Sequence, residues 1–458
     1  MLLSSLGDYQ IGQGYNLGKP NPNPSRLTAY ELVHQVNNEG AYANIRLPEL
    51  LAKSKMNTAD KAFTTELSYG TLRMQGRHDY IIKKFIDRPF NEIDAKIIDL
   101  LRIGTHQITQ MRVADHAAVG ETVEVAKLVT GESKASYVNA ILRKIAADSN
   151  DLSELEKLPM IERLAIKYSH PEWIISSFFD QLRDWAKVEE LLVANNFPAA
   201  PDIVAWPGKS NINELILLGA TKIVGYPNGV NLPGIPSEFS PIIERRAGVQ
   251  DRGSQLVVEN FLATIKPGLS WLDMCAGPGG KAAYLFHSLT EQDPSAKFLA
   301  NEPVPHRAEL VKRVVNNQQV VSFDATDPSN FAELFDRILV DAPCTGLGAL
   351  RRRPESRWRK SLKDLKELVV LQRDLLSSAY QLLSPGGMIA YVTCSPHLAE
   401  TRGQVIDFLD AHPDMKIAPI TSYALAHAQG VQDDGSVQLW THQDQSDAMF
   451  MVLFEKAG

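Results

Sequence analysis

Two cysteines stand at the ends of apolar stretches, an arrangement that suits covalent chemistry on an electrophile. Cys344 follows FDRILVDAP and Cys394 follows GGMIAYVT, and both stretches are predicted to be buried strands. Ligands and catalytic groups in an open α/β sheet lie outside the carboxyl ends of the strands. An isolated cysteine is often a packing residue, but a cysteine at each of two strand ends favours a pair of reactive thiols, because a thiolate is a strong nucleophile.

The third cysteine, Cys275, lies in a turn of small residues within WLDMCAGPGGKAAYLF, where we expect it to be a packing residue. No cysteine belongs to a CxxC or CxxH pair, so we expect neither a metal site nor a disulfide framework. Glycines at positions 277, 279 and 280 allow a ligand to approach the backbone, with the N-terminus of a helix behind it.

The turn leaves more than one cofactor open. It is not a phosphate-binding P-loop, because Cys275 and Ala282 stand where that motif needs Gly and Ser or Thr. Gly277, Gly279 and Ala282 do fit the dinucleotide pattern G-x-G-x-x-G/A, so a nicotinamide-dependent oxidoreductase is one alternative. Glu302 ends the next predicted strand, where a carboxylate can accept both ribose hydroxyls of any adenosine-containing cofactor. Hydride transfer needs no pair of cysteines, which favours a different chemistry.

Strands and helices alternate from residue 247 onward, which predicts an α/β domain with a parallel sheet and helices on both faces. The predicted strands are 269–274, 298–302, 320–324 and 338–341, and two last apolar runs, 438–440 and 449–454, predict a closing hairpin. We expect a mobile tail over residues 1–25, an all-α bundle over 26–150, a small connecting α+β domain over 151–246, and the α/β domain over 247–458.

Length and composition limit the class of protein. The chain has 458 residues, 44% hydrophobic and 22% charged, which is typical of a soluble globular protein with more than one domain. The sequence has no apolar run of about eighteen residues and no signal peptide at its start. We therefore expect a cytoplasmic protein that does not bind membranes, and a monomer.

The formal net charge of -7 argues against a uniformly basic surface, but one segment is strongly basic. Between Arg351 and Arg373 there are nine basic and three acidic residues. Arginines beside an aromatic ring suit single-stranded RNA, because they can pair with phosphates while the ring stacks on a base. The predicted RNA contacts are Arg351, Arg352, Arg353, Arg357 and Trp358. The lysines beyond Lys360 are better explained as the solvated face of a helix.

These motifs resemble those of a known family. DMCAGPGGK, LVDAPCTGLGALRRRPESRW and YVTCSP look like the motifs of the bacterial RsmB-type (Fmu/Sun) methyltransferases of small-subunit ribosomal RNA, which methylate carbon 5 of cytosine. ELSYGTLR and SYVNAILRKI resemble the NusB-like RNA-binding domain that these enzymes carry. The resemblance implies a Rossmann-like class I methyltransferase domain that uses S-adenosylmethionine, preceded by a NusB-like bundle, with 16S ribosomal RNA as the substrate.

The resemblance also assigns roles to residues. It makes Cys394 the nucleophile that adds to carbon 6 of cytosine, and Cys344 the residue that helps to release the product. Lys281 is a candidate for lowering the thiol pKa, and Asp341 for a hydrogen bond to the polar edge of cytosine. The implied cofactor residues are Cys275, Ala276, Gly277, Pro278, Gly279, Gly280, Lys281, Glu302 on the ribose, Asp324 near the adenine, and Asp341.

The sequence departs from the family in two places. Ala205, Trp206 and Pro207 replace an Arg-Val-Asn run, and Glu400 and Thr401 stand where a Glu-Asn pair is common. Neither change affects the thiols or the glycine-rich turn. A non-catalytic RNA-binding assembly factor is the alternative from another class, but it predicts an eroded thiol pair or turn, and neither is eroded.

Overall fold

The computed structural model describes residues 22–148, 152–420 and 430–458. The chain divides into two compact units. The first comprises the described parts of Met1–Ala41, Glu49–Thr71 and His78–Asp151. The second comprises Tyr42–Pro48, Leu72–Arg77 and Leu152–Gly458.

Helices are the regular elements of the N-terminal part of the chain, and no strand occurs among the described residues up to 148. Most of the expected mobile tail, 1–25, lies outside the described residues, and the first helix begins at Pro24, where the Asn23 side chain accepts the backbone N–H groups of Ser25 and Arg26. The helices are α1 (Pro24–Asn38), α2 (Ala43–Lys53), α3 (Thr58–Arg73), α4 (Gln75–Lys83), α5 (Ala95–Thr109), α6 (Asp115–Thr130) and α7 (Glu132–Ala147).

Helix α5 is the centre of the first unit. It packs against α1, α6 and α7 and is buried over most of its length. The approach to α7 is close at Gly104, where a Cβ atom would lie 2.5 Å from Cδ1 of Leu142. This central position explains why α5 carries a broad apolar surface rather than a single narrow stripe.

The second unit begins with three helices and a small antiparallel sheet. Its elements are α8 (Met160–Tyr168), α9 (Glu172–Leu182), α10 (Trp185–Asn195), β1 (Asp202–Ala205), α11 (Ile212–Leu217), β2 (Thr221–Lys222), β3 (Gly229–Asn231), α12 (Ser240–Ile243) and β4 (Ala247–Val249). The strand order is β2-β3-β1-β4. Because β4 pairs with β1, the small sheet extends past residue 246, and the α/β alternation begins after β4 rather than at residue 247.

The remainder of the second unit forms a larger, mainly parallel sheet covered by helices. Its elements are α13 (Arg252–Leu262), β5 (Ser270–Asp273), α14 (Gly280–Gln292), β6 (Lys297–Asn301), α15 (Pro305–Lys312), β7 (Val320–Val321), β8 (Phe335–Asp341), α16 (Ser356–Arg359), α17 (Leu362–Leu382), β9 (Leu383–Thr393), α18 (Arg402–Ala411), β10 (Met415–Ile417), β11 (Val437–Gln438), α19 (Thr441–Asp444) and β12 (Phe450–Lys456).

The order of this sheet is β10-β12-β9-β8-β5-β6-β7, with β11 paired to β12. Strands β5 to β9 pair in parallel, whereas β12 is antiparallel to β9 and to β11, so the predicted closing hairpin is confirmed. The chain proceeds outward from β5 to β7 and then returns to the other side of β5 as β8. Such a reversal creates a crevice outside the carboxyl ends of the strands, where ligands bind in open α/β sheets.

No helix among residues 22–148, 152–420 and 430–458 is long and apolar enough to cross a membrane.

Candidate active site

The two predicted thiols meet at the carboxyl ends of β8 and β9. The strands pair in parallel, with Asp341 opposite Val392, so the residues that follow them leave the sheet side by side. The Sγ atoms of Cys344 and Cys394 lie 3.4 Å apart. The backbone N–H of Gly348 donates to the carbonyl of Cys394 at 2.9 Å, and a Cβ atom at position 348 would collide with the carbonyl of Ala448. A side chain at position 348 would therefore displace the loop that carries Cys344.

The two thiols are electrostatically unequal. The hydrogen bond from Cys344 lowers the pKa of Cys394, an effect that burial opposes and the charge of Lys281 supports. The same hydrogen bond, together with burial, raises the pKa of Cys344 well above its usual value. Cys394 is therefore the more acidic thiol of the pair, the order expected if Cys394 is the nucleophile.

Lys281 projects from the first turn of α14 toward Asp341, and its charge acts on Cys394. Its Nζ atom lies 2.8 Å from Oδ2 of Asp341, at the end of β8. Burial acts to lower the pKa of Lys281, but Asp341 outweighs that effect and the pKa is raised. The ammonium group is thus held charged beside Cys394.

The glycine-rich turn leads from β5 into α14. Its backbone conformation requires glycine, which has no side chain, at two positions. A Cβ atom on Gly277 would collide with the carboxylate of Glu302, and the carbonyl of Gly277 accepts a hydrogen bond from Arg307 at 2.7 Å. Gly279 has a φ of +112°, in the left-handed region, and caps α14. The turn is closed by the Gly279 N–H, which donates to the carbonyl of Ala276 at 2.8 Å, and the peptide between Gly277 and Pro278 is cis.

Carboxylates line this end of the sheet. Burial raises the pKa of Asp273 to about 8, and its Oδ2 atom has no hydrogen-bond partner within the described part of the chain. Glu302 is buried, accepts the backbone N–H of Val304 at 3.0 Å and lies 3.3 Å from Arg307. Such a site favours a ligand that carries positive charge near Asp273 and hydroxyl groups near Glu302.

Two predicted cofactor residues lie at the margin of this arrangement. Cys275 packs at the edge of the core on one face of the sheet, and burial raises the pKa of its thiol well above the usual value. Asp324 is exposed, and its carboxylate accepts the backbone N–H and hydroxyl of Thr326 at 3.0 and 2.7 Å. Cys275 is therefore not poised as a nucleophile, and Asp324 is exposed to solvent.

Asn301 is a supporting residue that the sequence analysis missed. Its buried amide donates to the carbonyls of Met274 and Phe323, both at 3.2 Å, and accepts the N–H of Phe323 at 2.8 Å. It thereby joins the turn after β5 to the loop after β7. The only sequence signal was an amide at the end of an apolar strand, next to Glu302.

The predicted basic RNA-binding segment is only partly at the surface. Arg351 donates to Asp251 at 2.9 Å and to the carbonyl of Gln445 at 2.8 Å, and Arg352 pairs with Asp447. Both aspartates are 1% exposed. These two arginines are therefore largely neutralised inside the fold.

The prediction that Arg357 contacts RNA is corrected by its position. Its side chain is completely buried, and the guanidinium donates to backbone carbonyls and to Asn196 instead of facing solvent. Trp358 is 36% exposed, with its ring against Gly76, and Arg353 lies over the exposed ring of Tyr42 at 5.0 Å. Of the predicted residues, these two have accessible side chains that are not paired with a buried aspartate, whereas Arg352 is 37% exposed but paired with Asp447.

A cavity of about 1020 Å³ borders Arg351, and its charges are mixed. The ionisable side chains lining it include three carboxylates and two guanidiniums: Glu189, Glu190, Asp202, Arg252 and Arg351. Asp202 and Arg252 are paired at 3.0 Å. This cavity is therefore not a cationic channel of the kind that follows a phosphate backbone.

Comparisons with known proteins agree on both parts of the chain. A family model described as 16S rRNA methyltransferase RsmB/F matches residues 261–455, and the NusB family model matches residues 23–147. A putative methyltransferase of Mycobacterium tuberculosis is 41% identical over 94% of this chain and 96% of its own length. The ribosomal RNA small subunit methyltransferase B of Vibrio vulnificus is 30% identical over 85% of this chain and 91% of its own. The crystal structure of PH0851 superimposes with a TM-score of 0.81 at 23% identity, over 96% of this chain and 100% of that one.

Proposed function

The chain belongs to the RsmB/F family of 16S rRNA methyltransferases, and from this premise we propose that it methylates carbon 5 of a cytosine in small-subunit ribosomal RNA through a covalent adduct with Cys394. The predicted fold class, a Rossmann-like methyltransferase domain preceded by a NusB-like bundle, is confirmed. An S-adenosylmethionine-dependent rRNA methyltransferase follows from the family. The target atom, the adduct and the residue roles are the proposal.

The observation that carries the proposal is the contact between two unequal thiols at 3.4 Å. Carbon 5 of cytosine is a poor nucleophile until a thiolate adds to carbon 6. The sulfur of Cys394 forms a bond to carbon 6, the C5–C6 double bond shifts to C4–C5, and the negative charge moves to N3. Asp341 is suited to accept a hydrogen bond from the amino group on carbon 4, and Lys281 to keep Cys394 anionic.

The residues around the turn fit S-adenosylmethionine, which when bound supplies a methyl group that is open to attack by carbon 5. The unpartnered buried oxygen of Asp273 suits a cationic group, and Glu302, against Gly277, suits a ribose. We assign the segment from Cys275 to Lys281 to its backbone contacts, with Asp341 at the reacting end and Asp324 on the open adenine side.

Product release needs a base, and Cys344 is suited to act as one only after Cys394 has reacted. The pKa of Cys344 is raised chiefly by its hydrogen bond with Cys394. Once the sulfur of Cys394 is a thioether, that anionic partner is gone and Cys344 can lose its proton to solvent. It then accepts the proton from carbon 5, the C5–C6 double bond re-forms, and the S–C6 bond breaks to return the Cys394 thiolate.

We propose RNA contacts through Arg353 and Trp358, whose side chains are accessible and are not paired with a buried carboxylate; Arg351 and Arg352 are held by Asp251 and Asp447 instead. A role as a non-catalytic assembly factor is not favoured, because the thiol pair and the glycine-rich turn are both intact.

The test is transfer of labelled methyl from S-adenosylmethionine to protein-free 16S rRNA and to small-subunit particles, followed by nucleoside analysis. We expect 5-methylcytosine from the wild type, and a loss of about 10⁴-fold or more in Cys394→Ala. S-adenosylmethionine binding should persist in that variant. Cys344→Ala should instead accumulate an RNA adduct that survives a denaturing gel.

Three outcomes would contradict the proposal. The label could appear in a nucleoside other than 5-methylcytosine, which would exclude carbon 5. Cys394→Ala could retain substantial transfer, which would exclude it as the nucleophile. Wild-type protein could bind S-adenosylmethionine but methylate neither form of the RNA, which would favour the assembly-factor role.

A further inference from the structure

One buried carboxylate joins the loops that carry the two thiols. Glu400 is 0% exposed and lies in a short 3-10 turn after β9. Its Oε1 atom accepts the backbone N–H of Thr345 at 2.8 Å and the amide of Gln372 at 3.1 Å. Its Oε2 atom accepts the hydroxyl of Thr345 at 2.5 Å. Three donors therefore converge on a single side chain.

The contacts of this network involve the residues on both sides of Cys344 in the sequence. Gln372, on α17, donates to the carbonyl of Pro343 at 2.9 Å as well as to Glu400. The residue before Cys344 and the residue after it are thus both fixed by one connected pair of side chains. The loop that carries Cys344 is therefore held on both sides of the thiol by Gln372 and Glu400.

The same network reaches Cys394. The hydroxyls of Thr345 and Ser395 lie 3.1 Å apart, and Ser395 directly follows Cys394. The hydroxyl of Tyr391 donates to the backbone carbonyl of Glu400 at 2.8 Å, which secures the turn to β9 itself. A chain of side-chain hydrogen bonds thus connects the residue after one thiol to the residue after the other.

The hydrogen bonds of Glu400 suit a side chain that accepts at both carboxylate oxygens. Thr345 has a single hydroxyl hydrogen, which points to Glu400, so Ser395 must donate to Thr345. The Ser395 oxygen in turn accepts the N–H of His397 at 3.2 Å. A glutamine at position 400 would direct its N–H group at one of these donors, and one of the hydrogen bonds to residue 400 would be lost.

The charges around the pair are arranged asymmetrically. After Cys394 and burial, the charge of Glu400 is a further cause that raises the pKa of Cys344. Asp341, Lys281 and Asp447 act on Cys394, and of these only Lys281 lowers its pKa. The anionic side chain therefore favours a proton on Cys344, while the ammonium group favours an anion on Cys394.

We propose that Glu400 is a positioning residue for the methyl transfer: its carboxylate sets the separation of the two thiol loops and keeps the proton of the pair on Cys344. Its catalytic consequence rests on the function proposed above, whereas the ordering of the thiols does not. A purely structural carboxylate could be replaced by an isosteric amide without changing which thiol reacts.

The experiment is site-resolved alkylation of the full-length protein with iodoacetamide over a range of pH, read by peptide mass spectrometry. In the wild type, Cys394 should react faster than Cys344. In Glu400→Gln the ratio of the two rates should fall by about tenfold, which corresponds to one pKa unit. The maximal rate of methyl transfer should fall with it, while S-adenosylmethionine binding is unchanged.

Two further variants keep the inference open to refutation. Thr345→Val removes the hydroxyl bridge but retains the backbone N–H to Glu400, so it should reduce the ratio even if Glu400→Gln does not fold. Glu367→Gln alters an exposed carboxylate on α17 and should change nothing.

A wild-type ratio in a folded Glu400→Gln, or in Thr345→Val when the glutamine variant does not fold, would overturn the positioning role. Absence of methyl transfer by the wild type would count against the proposed function alone, because the alkylation ratios are measured without RNA.

Discussion

Replacement of Arg357 tests whether this residue stabilises the fold or contacts RNA, as its neighbours in the sequence predict. The guanidinium is fully buried and donates to four acceptors: the carbonyls of Arg73 at 3.0 Å, Ser169 at 3.1 Å and Asn195 at 2.8 Å, and Oδ1 of Asn196 at 2.8 Å. Burial lowers the pKa of Arg357 well below its usual value, so these acceptors are what keep a cation inside the fold. Arg357→Met keeps an unbranched side chain of similar volume, although a shorter one, and removes every donor.

The expected cost follows from the acceptors that are left behind. Each unsatisfied buried acceptor costs about 1–3 kcal/mol, which gives about 4 kcal/mol or more for four acceptors at the lower limit. Relief from burying the cation offsets part of this. We therefore expect a net destabilisation of about 3 kcal/mol, close to the range for breaking one side of a buried ionic network. For a unit of about 320 residues, the unfolding temperature should fall by roughly 4–5 °C.

Thermal unfolding and RNA binding together decide between the two roles. The control is Arg373→Met, which removes an exposed cation from the same segment and should leave the unfolding temperature unchanged. If Arg357 instead contacted a phosphate, its loss would reduce the slope of log affinity against log salt by about 1. An unchanged unfolding temperature together with a reduced salt slope would refute the structural role and restore the RNA contact.

Two more substitutions test the cofactor turn and a buried acid. Gly277→Ala should abolish S-adenosylmethionine binding measured by calorimetry, because its Cβ would collide with Glu302, whereas Gly120→Ala, on α6, should bind normally since nothing lies within 4 Å of a Cβ there. Burial raises the pKa of Glu259 to about 7, so the folded state keeps a proton that the unfolded state loses near pH 4. The protonated side chain therefore favours the folded state at low pH, and this stabilisation is lost as the pH rises through 7. Glu259→Gln should therefore match the wild type in unfolding temperature at pH 4 and exceed it at pH 8; equal differences at both pH values would contradict the buried-acid assignment.

The positions of the thiols at the sheet could be predicted from the sequence, because the rule that places them is local and topological. An apolar run followed by a cysteine marks a strand end, and parallel strands bring such ends to the same edge of the sheet. The predicted strand 269–274 is β5 (Ser270–Asp273), and the predicted strand 298–302 is β6 (Lys297–Asn301). A resemblance, rather than the spacing, was needed to say which cysteine attacks.

The state of the thiols could not be predicted from the residues alone, since it depends on contacts between distant parts of the chain. Glu400 is 55 residues from Thr345, and Lys281 is 60 residues from Asp341. The charges of Glu400 and Lys281 act over a few ångströms in space, and the number of residues between two positions does not predict that distance. Glu400 was noted only as half of a common pair, with no signal that its side chain turns inward.

The basic segment shows why a local count of charge does not predict a surface. Arg351 and Arg352 pair with Asp251 and Asp447, which lie about a hundred residues away on either side in the chain. A buried carboxylate needs a cation beside it, so part of the excess positive charge between 351 and 373 satisfies acids elsewhere in the fold. The segment has an excess of positive charge in the sequence, but in the folded protein the charges of Arg351 and Arg352 are balanced by Asp251 and Asp447.

This internal pairing also bears on the thiols. The pKa of Arg352 is raised despite burial, chiefly by Asp447 and further by Asp251 and by Cys394. Favourable interaction with a thiolate is reciprocal, so a positively charged Arg352 also stabilises the anionic form of Cys394. Two cations, Lys281 on α14 and Arg352 in the loop after β8, therefore favour the anion of Cys394 against Asp341 and Asp447, while the anion Glu400 acts on Cys344. Two chemically identical side chains 3.4 Å apart can take different roles because their charged neighbours differ, and Arg352, which the sequence suggested for RNA, contributes to that difference.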